Sequence, residues 1–178
     1  SFAGFSTAAA LELKDPRVKA GIMHCPSIAM SGGGVLPTSS RANLETPILM
    51  MTGKEDTVIG TAGNEACRQY YDTHEGPKTF VEINLGGHVS FTSCELYNPN
   101  YGNGIGESNS LTDPGTTYTP TPISEQHGII NHYTLAFLDS ALKSSLNEDS
   151  SVDASRAAAF AALQENPFGD VITHLSRL

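Results

Sequence analysis

The apolar positions change their period along the chain, and the changes mark out elements. Thr7 to Lys14 carries alanine, leucine and glutamate, good helix formers, and meets Asp15-Pro16, where proline disfavours continuation. That predicts one short helix behind an opening turn. Val18 to Met23 is a compact apolar run of strand length, followed by an irregular stretch from His24 to Glu45 that contains Gly32-Gly33-Gly34. Pro47 then introduces Ile48-Leu49-Met50-Met51, continuously apolar as in a strand covered on both faces, and Gly53 ends it. From Gly60 to His74 the period is helical, with Ala62, Ala66 and Tyr70 recurring along one side until Gly76-Pro77. Thr79 to Leu85 alternates apolar and polar residues ahead of Gly86-Gly87.

An order of strand, helix, strand with long connections predicts an α/β fold with a mostly parallel sheet and flanking helices. Ligands of such sheets bind at the carboxyl ends of the strands. Residues 95 to 126 interrupt the pattern with Pro99, Pro114, Pro120 and Pro122 among many Gly, Asn, Ser and Thr, which reads as a lid or a surface insertion. Ile129 to Leu142 is again helical, with Ile129, Ile130, Tyr133, Ala136 and Phe137 forming a stripe that should pack on the sheet. Residues 1 to 146 thus read as one α/β unit. Residues 147 to 178 read as an acidic linker and a tail with a helix over Ala154 to Gln164; the last residues carry no assignment.

Composition fits a globular chain: 39% of the 178 residues are hydrophobic and 16% charged. The formal charge of -9 repels phosphate backbones and anionic lipid surfaces, so nucleic acid is not an expected partner. No apolar run approaches the roughly 18 to 20 residues that cross a bilayer. Cys25, Cys67 and Cys94 are odd in number and match no metal-binding spacing, and each reads as a small buried hydrophobe.

The chemistry is carried by three strand ends. Gly4-Phe5-Ser6-Thr7-Ala8 fits Gly-x-Ser-x-small, the pattern of a serine on a tight turn between a strand and a helix. A serine needs a base within hydrogen-bond reach and a carboxylate to orient that base. Thr52-Gly53-Lys54-Glu55-Asp56-Thr57-Val58 follows one strand and Gly86-Gly87-His88 follows the next. Ser6, Asp56 and His88 therefore fall on one rim in the order serine, acid, histidine. Glu55 competes with its neighbour for the acid's place. His24 follows a strand and is a pocket-lining candidate, His132 reads as a core or boundary histidine, and His74, His127 and His174 read as surface residues. Cys25 also follows a strand, without an elbow around it. Phe5, Met23 and Phe91 are candidates for pocket walls or simple core.

These segments, together with Gly86-Gly87-His88-Val89-Ser90-Phe91 and Lys14-Asp15-Pro16-Arg17-Val18, resemble the elbow, acid strand and histidine loop of the α/β-hydrolase superfamily. Within it they are most similar to dienelactone-hydrolase-like esterases and to lipase or cutinase-like polyester hydrolases. The resemblance covers about residues 1 to 93 and the helix at 129 to 142, the C-terminal part of that fold. It implies Ser6 as nucleophile, His88 as general base and then acid, Asp56 as its orienting partner, and the Thr7 backbone N–H as an oxyanion donor. The implied reaction is cleavage of a small-molecule, lipid or polyester ester through an acyl-enzyme, with no cofactor and no metal. It departs from the family at Ala8-Ala9, where glycine is usual. The early strands of that fold are also expected to come from N-terminal sequence or another chain. A non-catalytic subunit of the same fold and a prolyl-oligopeptidase-type serine peptidase are the competing expectations.

Overall fold

The computed structural model describes residues 2–28, 44–91, 106–143 and 150–178. The chain runs α1 (Phe2–Glu12), β1 (Gly21–His24), β2 (Ile48–Gly53), α2 (Gly60–Thr73), β3 (Lys78–Ile83), β4 (Ser108–Asn109), β5 (Thr117–Tyr118), α3 (Ile123–Leu142), α4 (Ser150–Gln164) and β6 (Ile172–Arg177). Strands β1, β2 and β3 lie side by side in parallel, and β6 joins the far side of β3 antiparallel. This is an α/β protein with a mostly parallel four-strand sheet flanked by helices.

β2 is buried at every position, as its unbroken apolar run requires of a central strand. Its side chains divide by the strand's period of two. Ile48 and Met50 join Met23, Phe80, Leu11 of α1 and Tyr70 of α2 in one core. Leu49 and Met51 join Val81, Ile83, Ile129, Tyr133 and Phe137 in the other, with Leu163 of α4 and Ile172 of β6. Helices α1 and α2 thus cover one face, and α3 and α4 the other.

Several boundaries differ from the sequence pattern. α1 begins at Phe2, so Gly4 to Ala8 is helix and the expected turn there does not form. The reason is propensity: alanine, leucine and glutamate fill most of the segment, and one glycine costs only about 1 kcal/mol relative to alanine. Packing offsets even that. A Cβ on Gly4 would stand 2.8 Å from the Cβ of Pro26, so glycine lets α1 run hard against the end of β1. α3 starts at Ile123, ahead of Gly128, where the buried Gln126 donates through Nε2 to the Thr121 carbonyl. Within the insertion, β4 and β5 form a small antiparallel ladder. The unassigned tail supplies β6, whose pairing with β3 runs from Ile83↔Ile172 to Lys78↔Arg177. The Gly32-Gly33-Gly34 segment, Cys94, and residues 144–149, with the start of the acidic linker, lie outside the described residues, as does Ser1.

Candidate active site

The carboxyl ends of β1, β2 and β3 meet, and two glycines set how closely. A Cβ on Gly53 would stand 2.5 Å from the Gly86 carbonyl oxygen, a backbone contact that cannot yield. The same approach allows Lys54 N–H to reach the Ile83 carbonyl at 3.0 Å and Glu55 N–H the Gly86 carbonyl at 3.0 Å. The β2 and β3 loops are thereby locked edge to edge, and Asp56 and His88 ride on them.

Asp56 is fully buried. Its Oδ1 accepts the backbone N–H groups of Val58 at 2.9 Å and Ile59 at 3.0 Å, the usual way an aspartate closes a turn. Its Oδ2 lies 2.8 Å from Nδ1 of His88. A carboxylate accepts hydrogen bonds, so the contact suits a ring that donates from Nδ1, the tautomer whose lone pair sits on Nε2. His88 itself is held by a 3-10 turn over His88–Phe91, in which Ser90 Oγ accepts the Gly87 N–H at 2.9 Å.

Glu55 has a different set of partners. Its buried carboxylate accepts Ser110 Oγ at 3.0 Å, the N–H of Leu111 and Thr112, and the Thr112 hydroxyl. Burial works against its charge, but these hydrogen bonds win and hold the carboxyl below its ordinary value. Glu55 fastens the connection between β4 and β5 to the β2 end, and Asp56 is the acid that meets the histidine.

His88 faces a cavity of about 310 Å³. Ala3, Gly4 and Thr7 of α1 form one wall; Ile22, His24, Cys25 and Phe91 complete it with His88. Residues 3, 4 and 7 share one side of α1, and Ser6 sits roughly 100° around the helix from its centre. Ser6 is accordingly exposed, with no place on the cavity wall. Thr7 is on the wall, but its hydroxyl donates to the Ala3 carbonyl at 3.0 Å, and its amide falls in the second turn, where helix geometry assigns it to the same carbonyl. The amides left without helical partners are those of the first turn, including Ala3 and Gly4.

The end of β1 contributes two groups. Cys25 adopts φ 40°, a left-handed backbone uncommon outside glycine, and its thiol is buried. Cys25 Sγ, the Asp56 carboxylate and a His88 ring nitrogen all lie within 4.8 Å of one another, a donor set able to hold a metal ion. Burial first, and then the Asp56 charge, push the Cys25 thiol well above its ordinary value, which keeps it protonated and unsuited to attack. His24 stacks on Phe91 with ring centroids 5.1 Å apart, and burial lowers its pKa. Both were legible only as residues after a strand; their meeting with His88 on one cavity is a tertiary fact.

The other candidates resolve plainly. Met23 is core, Phe91 lines the cavity, and Phe5 lies beside Phe2 with ring centroids 6.0 Å apart. His132 packs edge-on against Tyr133 and Phe168. His74 and His174 correct the surface expectation. His74 is 1% exposed, with Nε2 3.0 Å from the Thr46 carbonyl, because the segment before β2 folds over the end of α2. His174 faces inward from β6 and lies 2.9 Å from the Leu163 carbonyl.

No protein-family model matches the chain, and no curated protein matches it. Among the described residues no helix is long and apolar enough to cross a membrane.

Proposed function

We propose that this chain carries the catalytic end of a serine hydrolase that cleaves carboxylic esters through an acyl-enzyme. The observation that supports it best is the buried Asp56 bonded to His88 Nδ1 at 2.8 Å, with the imidazole opening onto a cavity bordered by the first turns of α1. Asp56 fixes the tautomer and stabilises the imidazolium; His88 Nε2 takes the proton of an attacking hydroxyl and returns it to the leaving alkoxide. The free amides at the start of α1 offer hydrogen bonds to the oxyanion, and the positive end of the helix dipole adds to them.

Ser6 does not suit the attacking role, being exposed and off the cavity face. We assign that role to Ser1, which directly precedes Phe2 in the sequence, with the Phe2 amide as the oxyanion donor next to it. The second donor is assigned to a segment beyond those described. No cofactor is required by this chemistry. A non-catalytic binding role is favoured by the same exposure of Ser6, and activity separates the two readings. In the natural protein, short-chain p-nitrophenyl esters should be hydrolysed, with kcat/KM falling about 10³–10⁴-fold in both His88→Gln and Asp56→Asn. Hydrolysis indifferent to both substitutions would overturn the proposal.

A further inference from the structure

We infer that Cys25, Asp56 and His88 form a binding site for a thiophilic divalent cation such as zinc or cadmium, and that occupation of this site silences the His88–Asp56 pair. The inference deepens the esterase reading where it speaks of silencing; the binding itself stands without it. Three donors of different hardness, a thiol, a carboxylate and an imidazole, converge with their ligand atoms within 4.8 Å of one another. Tetrahedral zinc at about 2.3 Å from sulfur and 2.0–2.2 Å from nitrogen or oxygen needs its donors about 3.3–3.8 Å apart. Donors already within 4.8 Å of one another reach that spacing by side-chain adjustment, and the contact between His88 and Asp56, now 2.8 Å, must open slightly.

Binding balances with two proton changes: the Cys25 S–H bond breaks and its proton leaves to solvent, and His88 gives up the Nδ1 proton while Nε2 takes one from solvent, so a neutral imidazole nitrogen faces the ion and thiolate plus carboxylate neutralise its two charges. Asp56 needs no rebuilding, because Oδ1 stays on the Val58 and Ile59 amides while Oδ2 turns from the imidazole to the metal. Entry is open, since both Cys25 and His88 border the 310 Å³ cavity. A further donor stands on the same wall. His24 Nε2 is buried without a hydrogen-bond partner among the described residues and borders the same cavity.

Bound this way, the ion takes the oxygen that orients His88 and fills the space where substrate would approach. Cadmium added to the natural protein should bind at one equivalent with a thiolate-to-metal charge-transfer absorbance. The ¹¹³Cd resonance of the unmodified protein should report a single sulfur among nitrogen and oxygen ligands. Cys25→Ser should abolish the absorbance and weaken zinc binding at least tenfold by equilibrium dialysis, whereas Cys67→Ser and Cys94→Ser should keep both. Where ester hydrolysis is present, zinc should inhibit it and a chelator should restore it. A ¹¹³Cd resonance without sulfur, or an absorbance that survives Cys25→Ser, would overturn the site. Binding without any esterase activity would retain the site and count against the hydrolase reading alone.

Discussion

Adjacent carboxylates after β2 are put to different uses by what surrounds them. Asp56 turns into the protein and meets His88; Glu55 turns to the insertion and collects hydrogen bonds from Ser110, Leu111 and Thr112. Glu55→Gln removes the charge that these donors share, so the region around β4 should loosen by about 1–3 kcal/mol. Hydrogen exchange reads it directly: the Leu111 and Thr112 amides should lose protection, while unchanged exchange would contradict the assignment. The meeting of Asp56 and His88 was legible because each follows an apolar run closed by glycine, and strand ends of a parallel sheet gather on one rim. The turn expected at Gly4 to Ala8 did not form, because Gly-x-Ser-x-small is a five-residue pattern that an alanine-rich helix satisfies equally well. His74 could not be read as buried, since its cover comes from Thr46, 28 residues earlier in the chain.

Among the elements, the joints between them decide the site's geometry. Gly53→Ala would drive a Cβ into the Gly86 carbonyl, so the β2 and β3 loops must separate. We expect a loss of about 1–3 kcal/mol, as overpacking gives, and weaker coupling of Asp56 to His88. Thermal unfolding together with the His88 imidazole proton resonance checks both, and a variant as stable as the parent would contradict the close approach. Lys78, at the start of β3, performs a related service for α2. Its buried Nζ donates to the carbonyls of Tyr71 at 2.7 Å, Asp72 at 3.0 Å and His74 at 2.7 Å, satisfying acceptors that the helix end leaves open. Lys78→Met keeps the stem and takes a donor from each carbonyl, of which Tyr71 retains the His74 N–H; about 1–3 kcal/mol should be lost, with fraying confined to the last turn of α2. Global unfolding with no local signature would speak against this role. The long apolar or periodic segments were legible as elements. β6 was not, because Ile172 to Arg177 is a short edge strand whose partner lies 89 residues away at the Ile83↔Ile172 pair.

For the molecule as a whole, pH acts through histidine burial as well as through the proposed chemistry. His174 has its pKa lowered by burial and then by nearby His132, against the opposing pull of its contact with the Leu163 carbonyl; the ring also stacks on Tyr133. A lowered folded value means that the unfolded chain binds the proton more readily, so the contribution is present above about pH 6.5 and lost as pH falls through the folded value. The melting temperature should drop between pH 7.5 and 5, and His174→Gln should flatten that slope; an identical slope would show that other groups carry it. The sheet, its two helical layers and the convergence of three strand ends define the architecture in which the proposed hydrolysis would take place. The direct test of that proposal is to treat the folded natural protein with a fluorophosphonate probe and to map the labelled peptide by mass spectrometry. A single adduct is expected on Ser1, lost in Ser1→Ala and in His88→Gln and retained in Ser6→Ala. An adduct on Ser6, or no serine labelled at all, would contradict it.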